Sequence, residues 1–229
     1  MPRSLHTFLR ILIPGGIILV ETLLLYVFVF QPFPGDSDVW NFLSKEWGKT
    51  TGFTVLAIVL GWAYYGFGLT HTVDDKIFRG MEGIRKNIVR RLTAPFKADN
   101  ELAPKLDRLD WRAVKRVFFQ FIDELPALKT SNELAFLSGL GFYSFIDLGT
   151  ISTVIFVISA LSLIIQRGGS PLALRLFTLA LAVIVPLSIF GARIAINKHQ
   201  EISNRQLDAV LSDQLPELRD RLLRCVTVY

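Results

Sequence analysis

Four apolar stretches set the limits on what this chain can fold into. They cover residues 11–30, 51–70, 134–165 and 172–192. Each is about twenty residues or longer, enough to cross a ~30 Å hydrocarbon core at ~1.5 Å per helical residue. Inside lipid the backbone must satisfy its own polar groups, and a single segment does that only as a helix. The expected class is therefore all-α: a polytopic integral membrane protein with four transmembrane helices and a helical cytoplasmic region. Composition agrees, with 51% hydrophobic residues and a mean hydropathy of +0.43. A soluble domain of this length would scatter its apolar residues at helical or strand period instead of collecting them in blocks.

The blocks divide the chain. Residues 1–70 read as an N-terminal membrane hairpin, with spans at about 11–30 and 51–70. Residues 71–133 read as cytoplasmic amphipathic helices. Residues 134–193 form a second membrane hairpin, with spans at about 143–165 and 172–192, and 194–229 a cytoplasmic helical tail. The first run follows a basic start and resembles a signal peptide. It is longer than the usual ~7–15-residue apolar core and no small-residue cleavage site follows, so a retained span is expected. Trp40, Phe42 and Trp47, beyond the breakers Pro32, Pro34 and Gly35, suit a short interfacial helix. Gly61 and Gly66 give the second span small notches for close packing. The third run, Leu134 to Ile165, is longer than a bilayer needs. It either projects beyond the membrane or breaks near Gly139 and Gly141. A tight turn from Arg167 to Pro171 leads to the fourth span, where Pro186 should bend the helix.

Lys and Arg set the orientation. The segment from His71 to Glu133 holds 13 of the 25. With both termini on its side, 21 basic residues lie on one face and four on the other. Cytoplasmic loops carry the excess of basic residues, so both termini and the central segment are expected in the cytoplasm, with the even span count preferred to any odd one. The expected location is a bacterial inner membrane.

Residues 71–96 read as a basic amphipathic helix opened by Thr72, Asp74 and Asp75. Ile77, Met81, Ile84, Ile88 and Leu92 form its apolar stripe. Lys76, Arg79, Lys86, Arg90 and Arg91 make it a candidate for anionic lipid headgroups. Nucleic acid is the weaker reading of that charge, because no reading motif accompanies it. A second helix follows, with Asp110 as its cap and Pro126 as its limit. It places Trp111, Val114, Phe118, Phe121, Ile122 and Leu125 on one face. In the tail Leu207, Leu211, Leu218 and Leu222 form another stripe, broken near Gln214 by Pro216. Trp111, Phe118, Phe121, Leu207, Leu211, Leu218 and Leu222 are the candidate interaction stripe. Sixty-three residues are too few for a robust core, so the central helices should pack with the tail or with another protomer.

Two carboxylates interrupt the apolar runs, Glu21 and Asp147. Such groups are expensive in hydrocarbon and should be neutral, paired or turned to a protein interior. His71, Asp74, Asp75 and His199 are weak metal candidates, since no paired-histidine or His-Glu motif accompanies them. No phosphate loop, dinucleotide fingerprint or nucleophile elbow occurs, and the single Cys225 excludes an intrachain disulfide. No catalytic residue and no cofactor are expected. The function expected is a small oligomeric inner-membrane protein acting by assembly, as an anchor, signalling component or gated pore. Its cytoplasmic helices would engage a soluble protein, in a setting such as bacterial stress or defence. The alternatives are an accessory subunit of a larger membrane complex and, behind it, a membrane metalloenzyme.

Overall fold

The computed structural model describes residues 3–30, 50–109, 111–165 and 172–227, and among them every regular element is helical. In chain order these are α1 (Arg3–Phe30), α2 (Thr50–Gly66), α3 (Leu69–Val73), a π-helical turn (Asp74–Phe78), α4 (Gly80–Thr93), two 3₁₀ segments (Ala94–Phe96 and Ala103–Arg108), α5 (Trp111–Glu124), α6 (Pro126–Ile165), α7 (Leu172–Asp213) and α8 (Leu215–Thr227). Three helices, α1, α6 and α7, are long and apolar enough to cross a membrane. The count becomes four if α2 and the helical stretch after it, bent by 45° at their break, are one span. The expected interfacial helix at Trp40, the cap at Asp110 and the turn from Arg167 to Pro171 lie outside the described residues.

The chain divides into two compact units. The first comprises Met1–Asp74 and Leu140–Ile194, the second Asp75–Gly139 and Ala195–Tyr229.

In the first unit α1 and α2 meet backbone to backbone. A Cβ on Gly15 would collide with the carbonyl oxygen of Ala57, and one on Gly61 with that of Ile11. Only hydrogen fits at either position, and in lipid such close approach supplies the packing that holds helices together. Gly16, one residue along, faces open space. A similar fit joins α6 to α7: Gly149 lies under the Ser188 hydroxyl and Gly191 against the Phe145 ring. Tyr64, Ile151, Ile155, Phe177 and Leu181 form the buried core, with Ile17, Ile18, Leu25 and Phe28 packed on it. The outward surface is apolar too, with Trp62 69% exposed and Val154, Leu179 and Phe190 also exposed. That distribution is compatible with a lipid-facing surface.

The second unit has a hydrophobic core of its own. Ile84, Ile88 and Leu92 of α4, Val114, Val117, Phe118, Phe121 and Ile122 of α5, Leu207 and Val210 of α7, and Leu218 and Leu222 of α8 share one core. The central helices therefore pack with the end of the same chain. Ion pairs close the rim. Arg219 Nε donates to Asp99 Oδ2 at 2.6 Å, and Asp99 Oδ1 also accepts the backbone N–H groups of Glu101 and Leu102. Arg221 lies over the Phe121 ring at 4.3 Å and is held by Glu124 and Glu217.

Several expectations need correction. The second span does not run straight to Thr70. Its helix stops at Gly66, and Gly68 takes a left-handed φ of 63° before α3 starts. Thr72, Asp74 and Asp75 therefore open nothing: the Thr72 hydroxyl instead bonds the Gly68 carbonyl. The stripe from Ile77 to Leu92 is not continuous. A π-helical turn followed by Arg79 at φ 49° shifts the register, and Ile77 is left 71% exposed while Ile84, Ile88 and Leu92 are buried. Pro126 ends α5 but also opens α6, where its missing N–H is harmless. Helix α6 then passes Gly139 and Gly141 unbroken, so the break expected there is absent. Helix α7 runs on from the fourth apolar run into the tail as far as Asp213, and the break beside Pro216 falls at Gln214 as expected.

Candidate functional site

Polar side chains in the first unit gather around the two carboxylates of the apolar runs, Glu21 and Asp147. Asp147, on α6, is 4% exposed. Its Oδ1 accepts two hydroxyl hydrogen bonds, from Thr70 at 2.6 Å and from Tyr64 at 3.2 Å. Tyr64 precedes the Gly66–Gly68 break and Thr70 follows it. One carboxylate oxygen thus ties both halves of the bent α2–α3 pair to α6. A buried polar group stays in place only when it is hydrogen-bonded, and here the bend supplies the donors.

Arg10 of α1 completes this end of the unit. Its guanidinium stacks 4.1 Å from the Tyr143 ring centre and lies 5.7 Å from that of Tyr65. Its charge is close enough to act on Asp147. The ring of His71 meets Tyr143 and Tyr65 edge-on, at 5.8 and 6.2 Å. Arginine over aromatic faces is attracted by their ring quadrupoles, so Arg10, Tyr65, His71 and Tyr143 form one cation–aromatic cluster.

Glu21 lies past the middle of α1 and is 7% exposed. The Ser152 hydroxyl of α6 donates to its Oε1 at 2.6 Å. Its Oε2 is buried with no hydrogen-bond partner. Asp147 and Ser152 are five residues apart on α6, about 7.5 Å of helical rise, and the two carboxylates take separate partners.

The weak metal candidates do not come together. Among the described residues no three His, Cys, Asp or Glu side chains form a group that could hold a metal ion. Asp74 is buried, His71 and Asp75 are exposed, and His199 belongs to the second unit. There, its Nδ1 lies 2.8 Å from the Ala135 carbonyl and 3.0 Å from the Ser138 hydroxyl. A carbonyl can only accept, so Nδ1 carries the proton. Burial lowers the basicity of His199, partly offset by the Ala135 bond.

The basic residues considered for lipid are not equivalent. Lys76, Arg79 and Arg90 are exposed, as is Arg85. Lys86 pairs with Glu82, and Arg91 bonds Asp208 and Asn204 within the second unit. The interaction stripe is largely internal: Phe118, Phe121, Leu207, Leu218 and Leu222 are buried in the domain core, with Trp111 and Leu211 packed against it. A cavity of about 490 Å³ opens between α5 and α8, lined by Arg116, Gln120, Glu124, Glu217, Arg221 and Cys225 among others.

Sequence reasoning named Glu21 and Asp147 but missed their partners Ser152, Tyr64 and Thr70, and the stacking of Arg10. Hydroxyls inside an apolar run are a weak signal, because most satisfy a carbonyl of their own helix, as Thr150 and Thr178 do here. Comparison with protein-family models, with curated proteins and with solved structures finds no match for this chain.

Proposed function

We propose that the chain is a four-span membrane protein that works by assembly, as an anchor, a signalling component or a gated pore, and not by covalent chemistry. It would sit in a bacterial inner membrane with both termini and residues 71–133 in the cytoplasm, and the second unit would be the domain offered to a soluble partner. Exposed Lys76, Arg79, Arg85 and Arg90 would face anionic headgroups, as basic residues beside a span do.

The observation that carries this reading is the length of two helices. Helices α6 and α7 have 40 and 42 residues, about 60 Å each at ~1.5 Å per residue, twice the ~30 Å of hydrocarbon. Each gives its apolar part to the first unit and its more polar end to the second, α6 dividing at Leu140 and α7 after Ile194. The core of that domain is already filled by its own stripes, so a partner would use its charged surface.

Native mass spectrometry of the protein gently extracted from its host tests the proposal. A discrete homo-oligomer, with or without a soluble protein, is expected. A strict monomer that retains nothing would overturn it. A large complex holding one copy would replace it with the accessory-subunit reading.

A further inference from the structure

Glu21 differs from the carboxylates that the structure shows in ion pairs or with several donors. Asp147 accepts two hydroxyls and lies near Arg10. Asp99, Glu124, Glu201 and Glu217 pair with arginine or lysine. Glu21 receives one hydroxyl, from Ser152, and among the described residues no cation pairs with it. Its second oxygen is buried without a partner. Ile17, Ile18 and Leu25 lie one turn away on its own helix, and Ile151 and Ile155 flank Ser152; all five belong to the apolar core.

An ionised carboxylate needs several donors when it leaves water, and a single donor leaves most of its charge unsolvated. A neutral acid needs less. Its carbonyl oxygen can accept the Ser152 hydrogen, which matches Oε1. Its hydroxyl oxygen then matches Oε2, the atom that carries the proton and lacks a donor. Protonation removes the charge, so the bare oxygen leaves one unpartnered O–H in the apolar core in place of an unsolvated anion, the smaller cost of the two.

We propose that Glu21 is an intramembrane proton-binding site, held as a carboxylic acid by Ser152 and the apolar core. This does not depend on the assembly reading. The same state makes Glu21 a modification site for lipid-soluble carbodiimides, which require a protonated carboxyl. The acid proton moves to a carbodiimide nitrogen, and the carboxylate oxygen bonds to the central carbon. The resulting O-acylisourea rearranges by transfer of the acyl group to nitrogen, leaving a stable N-acylurea with nothing released.

The test uses the full chain in membranes or nanodiscs. Dicyclohexylcarbodiimide is added, and peptide mass mapping locates the adduct. The expected result is a single dominant adduct at Glu21, absent in Glu21→Gln and absent when a water-soluble carbodiimide replaces the lipid-soluble one. Infrared spectroscopy supplies a second reading that needs no reagent access: the carbonyl stretch of a protonated acid is present in the wild type and lost in Glu21→Gln. A Glu21 adduct, or loss of that band on substitution, supports the proposal. Equal labelling of Glu21 by the water-soluble reagent overturns it, because the site would then open to water. No adduct at Glu21 together with no band lost in the variant also overturns it.

Discussion

Removing the Asp147 carboxylate strands two hydroxyl donors, those of Tyr64 and Thr70, in buried surroundings. A buried donor left without an acceptor costs about 1–3 kcal/mol. Asp147→Ala is therefore expected to destabilise the first unit by about 2–5 kcal/mol. Asp147→Asn should cost less, since its amide oxygen still accepts. Adding Tyr64→Phe and Thr70→Val to Asp147→Ala should recover part of the loss, because no donor is then stranded. Thermal unfolding in mild detergent, read by size-exclusion chromatography, measures the series. An alanine variant as stable as wild type would show that the clasp contributes nothing. Asp99 gives a pH dependence in the second unit. The Arg219 guanidinium and two backbone N–H groups hold its carboxyl well below the usual carboxylate range. The unfolded chain therefore binds this proton first as pH falls. The stabilisation is complete above the unfolded value of ~4 and is lost progressively below it, toward the lower folded value. Asp99→Asn should flatten the acid limb of the stability profile between roughly pH 4 and 2, while an unchanged limb would remove Asp99 from the account.

At the scale of elements, the glycine contact of α1 and α2 makes a sharper demand. Gly15 and Gly61 face backbone atoms of the opposite helix, which have no rotamer to yield. Overpacking a core costs about 1–3 kcal/mol where side chains can adjust, and here the helices themselves must separate. Gly15→Leu and Gly61→Leu are each expected to lower the unfolding temperature and expose the α1–α2 pair to protease, whereas Gly16→Leu, facing open space, should be tolerated. Similar behaviour of all three variants would contradict the contact. The helices of the apolar runs were readable from sequence, because blocks of about twenty apolar residues admit one solution in lipid. The buried faces of α5 and α8 were readable too, since Phe118, Phe121, Leu218 and Leu222 recur at helical period and end in the core. The course of the chain between α2 and α4 was not. A period of 3.6 continues through Ile77 on paper. One π-helical turn and one left-handed residue, Arg79, cancel it, and neither has a compositional signature. Gly68 was the available hint. The hydroxyl partners of Asp147 were hidden for a related reason: Tyr64 and Thr70 reach one carboxylate only because the helix bends between them.

The same bend decides how the whole molecule is counted across the membrane. As one span, the bent pair gives four crossings and places both termini with the basic segment 71–133. As a re-entrant pair it gives three, and the amino terminus moves to the opposite side. The expectation that no odd count fits the charges as well fails here. Keeping residues 71–133 cytoplasmic, the exchange sends Arg3 and Arg10 out and brings Lys45 and Lys49 in, so the tally stays at 21 to four. Charge alone is silent between the two. The connector at residues 31–49 separates them, being extracytoplasmic with four spans and cytoplasmic with three. In a Cys225→Ser background, single cysteines at Ser37, Asn100 and Gly169 can be challenged with a membrane-impermeant maleimide on intact cells. With four spans, positions 37 and 169 label from outside and position 100 only after permeabilisation. With three, position 37 joins position 100 in protection while position 169 still labels. We expect the four-span pattern. Gly52–Gly66 and Leu69–Phe78 pass the length and hydropathy test together, and Asp147 ties both sides of their bend to α6, a helix long enough to cross on its own. Protection of position 37 would make the pair a re-entrant loop and its Asp147 clasp the device that holds the loop in place.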